Sequence, residues 1–193
     1  MFTTTVKAYG KINLSLNVLQ KDGEYHSLDT VVTTVDKYDL IYAEKRKDKK
    51  ILVTFTGRYA FVPKFQEQTN AYKACKLFMD EFGVNGANIE VVRSIPTGSG
   101  MGGSSCDVVG VLKAMKKLYK IQCDLKPLAD KLGSDAGYLL NGGFARLTSR
   151  GEVVKELDVK DKYYFVCLYA KGAITAKECF EEFWNAYPNK TER

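Results

Sequence analysis

The chain has 193 residues, 45% of them hydrophobic, which suits one domain, or one and a piece, with a proper core. Its net charge of +6 comes from scattered lysines, and its five cysteines are odd in number and lack metal-ligand spacing. These features argue against a nucleic-acid patch and a disulfide scaffold, and point to reduced thiols in a cytoplasmic protein. The start of the sequence shows no apolar signal region, and no apolar run reaches membrane-spanning length, so no membrane partner is expected.

In chain order, Thr3 to Ala8 and Ile12 to Leu19 read as strands joined at Tyr9-Gly10-Lys11. The second alternates, which places Ile12, Leu14, Leu16 and Val18 on the core face. Lys11, Asn13, Ser15 and Asn17 share the other face, either solvated or the wall of a site. Asp22-Gly23-Glu24 is a turn ahead of Tyr25-His26, whose phenol ring could stack on a flat ligand. Strands follow at Thr30 to Val35, Leu40 to Ala43 and Ile51 to Thr56. The charged run Glu44 to Lys50 reads as a solvated hairpin tip, mildly attractive to anionic substrates. Gln68-Thr69-Asn70 caps a helix that runs to about Phe82.

Asn88 to Val92 is a β-branched strand, and Val108, Val111, Leu112, Met115, Leu118 and Tyr119 recur at helical spacing. Between them lies Pro96-Thr97-Gly98-Ser99-Gly100-Met101-Gly102-Gly103-Ser104-Ser105-Cys106-Asp107, a glycine-rich turn into a helix. Glycine lets the backbone approach a ligand closely, and a helix start offers free N–H groups suited to phosphate. Ser104 and Asp107 have the spacing of a capping box. Gly98, Gly100 and Gly103 match a dinucleotide-binding fingerprint, but Asp124, at the right distance for its acidic residue, opens a helix instead. A P-loop is excluded because Ser104 stands where its lysine belongs.

A helix is expected from about Leu125 to Leu132, closed by Gly133, with Asp135 in the next turn. Phe144 to Leu147 is a strand, and Ser149 to Glu152 a hairpin turn. Tyr163 to Tyr169 is the last strand and Thr175 to Trp184 the last helix. Strands first, then mixed helices and strands, give an α+β fold.

Several separated segments together resemble one family. Gly10-Lys11-Ile12-Asn13-Leu14 with Tyr25-His26-Ser27-Leu28, the loop from Pro96 to Asp107, and Gly133-Ser134-Asp135 with Gly142-Gly143 and Gly151-Glu152 are similar to the motifs of the GHMP small-molecule kinases. Thr69-Asn70-Ala71 fits the same family's helix start. Within it, the chain resembles the branch that phosphorylates 4-diphosphocytidyl-2-C-methyl-D-erythritol in non-mevalonate isoprenoid synthesis. The resemblance implies a two-layer N-terminal GHMP domain, like domain 2 of ribosomal protein S5, over residues 1–170, with 171–193 leading toward a C-terminal domain that the sequence lacks. It implies Lys11 and Asp135 as the catalytic pair. ATP would be held by Asn70, Pro96, Gly98, Ser99, Gly100, Met101, Gly102, Gly103, Ser104, Ser105 and Asp107, with Mg²⁺ carried mainly on the nucleotide. Asn13, Tyr25 and His26 would hold the cytidine-bearing substrate. A small-molecule substrate is the expected partner, and a second copy of the chain a candidate one.

The pattern departs from the family at two places. In a gap-free register Cys106 replaces a family serine, which leaves the Mg²⁺ ligand open, and Asp135-Ala136-Gly137 replaces Asp-Val-Pro. Other alcohols such as homoserine or mevalonate, or a nucleotide-binding module without catalysis, are the competing readings. The missing C-terminal part leads to the expectation of slow turnover and of an exposed apolar patch near Phe180, Phe183 and Trp184.

Overall fold

The computed structural model describes residues 4–22, 25–169 and 175–187. Its centre is a long antiparallel pair, β1 (Thr4–Asp22) and β2 (Tyr25–Lys45), running from Thr4 opposite Ala43 to Asp22 opposite Tyr25 with register shifts after Tyr9, Asn13 and Val18. β1 holds one edge of β2 along its length. The other edge is shared: β4 (Ala87–Arg93) pairs with residues 40–45 and β5 (Ala145–Ser149) with residues 28–32. β3 (Leu52–Gly57) lies parallel to β4, joined to it through α1 (Asn70–Phe82), and β6 (Val153–Glu156) forms a hairpin with β5. Between Val32 and Leu40 neither neighbour reaches β2, and loops gather there: Ser94 N and Ile95 N donate to Asp39, and Gly143 N donates to Thr34.

Helices form the second layer. α1 opens at Thr69, whose hydroxyl accepts from Tyr72 N, and it buries Ala71, Ala74, Cys75, Phe78 and Met79. α2 (Gly103–Tyr119) is buried along most of its length, from Ser105 to Leu118, between α1 and the β1–β2 pair. Short helices α3 (Lys126–Ala129) and α4 (Ala136–Leu139) close the end of α2, and α5 (Ala176–Ala186) opens on a capping box between Thr175 and Glu178. The α+β class and its two layers are thus as expected.

Several local expectations are corrected. The two opening strands are one, continuing through Gly10, as are the strands from Thr30 and Leu40. Leu14 and Leu16 do not face the core; each is 45% exposed, while Val18 is buried. Ser15 and Asn17 are exposed as well, so this stretch of β1 is open on both faces, and a register shift lies within it between Asn13 and Ser15. Glu44 to Lys50 is not a hairpin tip, since β3 sits beyond β4 rather than beside β2. It is a crossover fixed by Arg46, which bonds Asp48 and Asn88 and holds the Asp48 carboxyl down to about 2. The helix expected to Leu132 stops at Ala129, and Gly133 is no left-handed cap. Gly133 serves close approach instead: a Cβ there would lie 2.9 Å from Ser105 Oγ. No strand forms over Tyr163 to Tyr169.

Candidate active site

β4 delivers the chain into the glycine-rich loop, and α2 carries it away. Lys11 sits where β1 shifts register beside Gly10. Its backbone N–H donates to Met101 O at 3.0 Å, which ties the loop to the strand. Its side chain is buried, and Nζ donates to Asn13 Oδ1 at 2.5 Å. Asn13 Nδ2 in turn donates to Thr30 Oγ1 at 2.9 Å, so the ammonium is oriented by a chain of polar groups across β1 and β2. Asp135 reaches the same point from the turn before α4. Its Oδ2 lies 3.7 Å from Lys11 Nζ, although the two are far apart in sequence, and its side chain keeps 29% exposure. The carboxylate is therefore paired yet open to a solute.

Gly102 lies between the two. Its φ of 72° is left-handed, and a Cβ there would meet Asp135 Oδ2, Leu139 Cδ1 and Lys11 Cγ, each at 3.5 Å. Those distances are ordinary contact, so it is the backbone angle that favours glycine here. Gly102 is also the N-cap of α2, with no side-chain cap bond. The capping box expected from Ser104 and Asp107 is absent, because the helix begins before Ser104 can flank it and Asp107 is engaged elsewhere. The start of α2 therefore has no side-chain cap, and it lies beside the point where Lys11 and Asp135 meet. That arrangement can hold an anion beside a carboxylate and an ammonium.

The remaining residues fall into three groups. Gly98, Gly100 and Ser104 are exposed on the loop, Pro96, Ser99 and Gly103 are half-buried, and Asn70 donates to Ser104 O at 3.4 Å, linking the starts of α1 and α2. Met101 and Ser105 are buried, Met101 as the loop's apolar anchor and Ser105 against Gly133. Asp107 departs from its expected place among nucleotide contacts: it is 4% exposed and points beneath the loop to Arg93. Cys106 is equally inward, its thiol on Tyr9 O at 3.1 Å, and burial pushes that thiol far above its ordinary range, so it supplies no thiolate for a metal. Among the described residues, no group of three His, Cys, Asp or Glu could hold a metal ion.

Tyr25 and His26 pair with Asp22 and Lys21 at the far end of the β1–β2 ladder, and their side chains lie outside the described residues. His26 is eight residues along β2 from Thr34, the partner of Lys11. That is roughly 26 Å for a straight strand, a span that bulges shorten by bending. Two residues escaped sequence reasoning, Asp39 and Arg93. The signal for Arg93 was available: it ends the inward series Ala87, Ile89, Val91, so a cation was due in the core. Asp39, fully buried, carries no comparable sequence signal.

The comparisons bear on this geometry. Residues 69–145 match the family described as GHMP kinases N terminal domain. A 4-diphosphocytidyl-2-C-methyl-D-erythritol kinase of Clostridium perfringens is 35% identical over 180 residues, covering 91% of this chain and 62% of the relative. A solved structure of 4-(cytidine 5'-diphospho)-2C-methyl-D-erythritol kinase superposes with a TM-score of 0.67 at 31% identity, covering 80% of this chain and 55% of that one. The mevalonate kinase of Methanococcus jannaschii superposes with a TM-score of 0.62 at 13% identity over 81% of this chain and 56% of its own, a likeness of fold alone. The chain thus spans less than two thirds of the length of these relatives.

Proposed function

We propose, from the match of residues 69–145 to the GHMP kinase N-terminal domain family, that this site transfers the γ-phosphoryl group of ATP to a hydroxyl of 4-diphosphocytidyl-2-C-methyl-D-erythritol. The observation that carries the reading is the Lys11–Asp135 pair at 3.7 Å, set against Gly102 at the uncapped start of α2. The loop N–H groups would receive the ATP phosphates, and Gly102 leaves room for them beside the pair. Asp135 would accept the proton of the acceptor hydroxyl as its oxygen bonds to the γ-phosphorus and the bond to ADP breaks. Lys11, oriented by Asn13, would stabilise the charge spread over the transferring group. Asn70 would border the nucleotide at the shared start of α1 and α2.

Mg²⁺ bound to the phosphates would neutralise part of their charge. The hairpin end bearing Tyr25 and His26 would receive the cytosine.

The test is ADP release from ATP with a panel of alcohols. Release that depends on the cytidylyl alcohol and disappears in Asp135→Asn is the expected result. Release with homoserine or mevalonate instead would reassign the substrate. ATP binding without release from any alcohol would leave a nucleotide-binding module.

A further inference from the structure

Beneath the loop lies a charged cluster that phosphoryl transfer does not use. Arg93 occupies the last inward position of β4, with its side chain 9% exposed. Its Nη1 lies 3.4 Å from Asp107 Oδ2 on α2, and its Nε 4.0 Å from Asp39 Oδ2 on β2. The other oxygen of Asp39 accepts from Ser94 N at 2.6 Å and from Ile95 N at 2.8 Å. One guanidinium thus bridges the carboxylate that holds the loop's entry and the carboxylate on the helix that forms its exit. Gly103 packs against the same group, since a Cβ there would lie 3.4 Å from Arg93 Nη2.

As a device for stability alone this cluster is poor. Two carboxylates face one cation, and Asp39 Oδ2, Arg93 Nε and Asp107 Oδ1 have no hydrogen-bond partner among the described residues. Buried ion clusters of this kind are commonly less stable than apolar side chains of similar volume. Burial pushes the Asp107 carboxyl up to about 7, with Arg93 pulling it down and Asp39 adding to the rise. What the cluster does supply is geometry: it reaches both ends of a glycine-rich loop whose Thr97, Gly98 and Gly100 are exposed.

We infer that Asp39, Arg93 and Asp107 are positioning residues that set the separation of the loop's two ends, and with it the alignment of the loop N–H groups on the Lys11–Asp135 pair. The inference rests on the phosphate-loop reading above. A loop displaced by about 1 Å costs up to about 10²-fold in a reaction that depends on alignment.

The experiment compares wild type with Asp39→Asn, Arg93→Lys and Asp107→Asn in three measurements: ATP affinity by calorimetry, KM for each substrate against kcat, and amide exchange at residues 94–105. Asp39→Asn keeps the shape of the side chain and removes its charge, and Arg93→Lys keeps the cation and loses its fork, so at least one variant retains the fold. The expected result is a rise of roughly 10–100-fold in the Kd and KM for ATP in Asp39→Asn. The acceptor KM should stay unchanged, exchange at Ser94 and Ile95 should quicken, and Arg93→Lys should be milder. Unchanged ATP affinity and unchanged exchange in folded variants overturn the inference. If wild type itself does not bind ATP, the phosphate-loop reading fails separately. Exchange at Ser94 and Ile95 then still decides whether the cluster holds the loop.

Discussion

Two segments of this chain have nearly equal claims to be strands, and only one becomes one. Ala87–Arg93 lies between β2 and β3 and alternates strictly, with Ala87, Ile89, Val91 and Arg93 buried. Tyr163 to Tyr169 is richer in aromatic and β-branched residues, yet it pairs with no strand among the described residues. Its alternation survives nevertheless. Tyr164, Val166 and Leu168 are 92%, 90% and 92% exposed, whereas Tyr163 meets the ring of Phe144 and Tyr169 OH lies 3.6 Å from Met101 Sδ. Strand propensity therefore describes a fit to a half-buried pleated surface, and the ladder partner decides the outcome. The paired strand leads into the loop and α2, while the unpaired segment reaches the loop at Met101.

The sharpest way to break this comparison is at the site beside the loop that the paired strand leads into. Asp135→Asn should lower turnover by roughly 10²–10⁴-fold while ATP affinity, measured by calorimetry, changes little. A substitution of Tyr164, which is 92% exposed, should leave both unchanged. The same contrast holds for stability. Val91→Ala removes methyl groups from a fully buried position and should cost about 1.5–3 kcal/mol in denaturant unfolding. Val166→Ala, at 90% exposure, should stay within about 0.5 kcal/mol. Equal losses would show that the 163–169 segment is as tightly held as β4.

A pH titration sharpens the contrast. The Asp107 carboxyl titrates near 7 in the fold, against an ordinary value of 3.8, chiefly because it is buried, with Arg93 and Asp39 as the charges facing it. The fold favours its protonated form, so its stabilising contribution is complete below about pH 4 and is lost as pH rises through about 7. The melting temperature of wild type relative to Asp107→Asn should therefore fall between pH 5 and pH 8. A flat difference across that range would place the Asp107 carboxyl near its ordinary value. A smaller effect belongs to Thr69→Ala, which removes the cap of α1 and should cost about 1 kcal/mol, read by thermal melting.

Much of the fold was legible because local signals and tertiary context agree. Thr69 caps α1, Thr175 and Glu178 box the start of α5, and β4, the loop and α2 follow from periodicity and glycine placement. Legibility failed where alternation does not mark the core. Residues 14–17 are exposed on both faces of β1, so the apolar period of Leu14 and Leu16 points to no buried side. It failed again at Ser104 and Asp107, whose capping-box spacing is overridden by the pull of buried Arg93 on Asp107. At the site, Lys11 and Asp135 were nominated by family resemblance, since neither spacing nor composition links residues on β1 and before α4. Their approach to 3.7 Å depends on the gap left along β2 between its two neighbours.

The central claim is that the loop before α2 binds nucleotide phosphates beside this pair. Gly102 is a demanding position, with a left-handed φ of 72° beside Lys11 and Asp135, where a β-branched side chain is strained. The direct measurement is calorimetric titration of ATP into wild type and Gly102→Val, with melting temperatures recorded for both. The account predicts that wild type binds ATP and that a folded Gly102→Val does not. ATP affinity in Gly102→Val equal to that of wild type would contradict it.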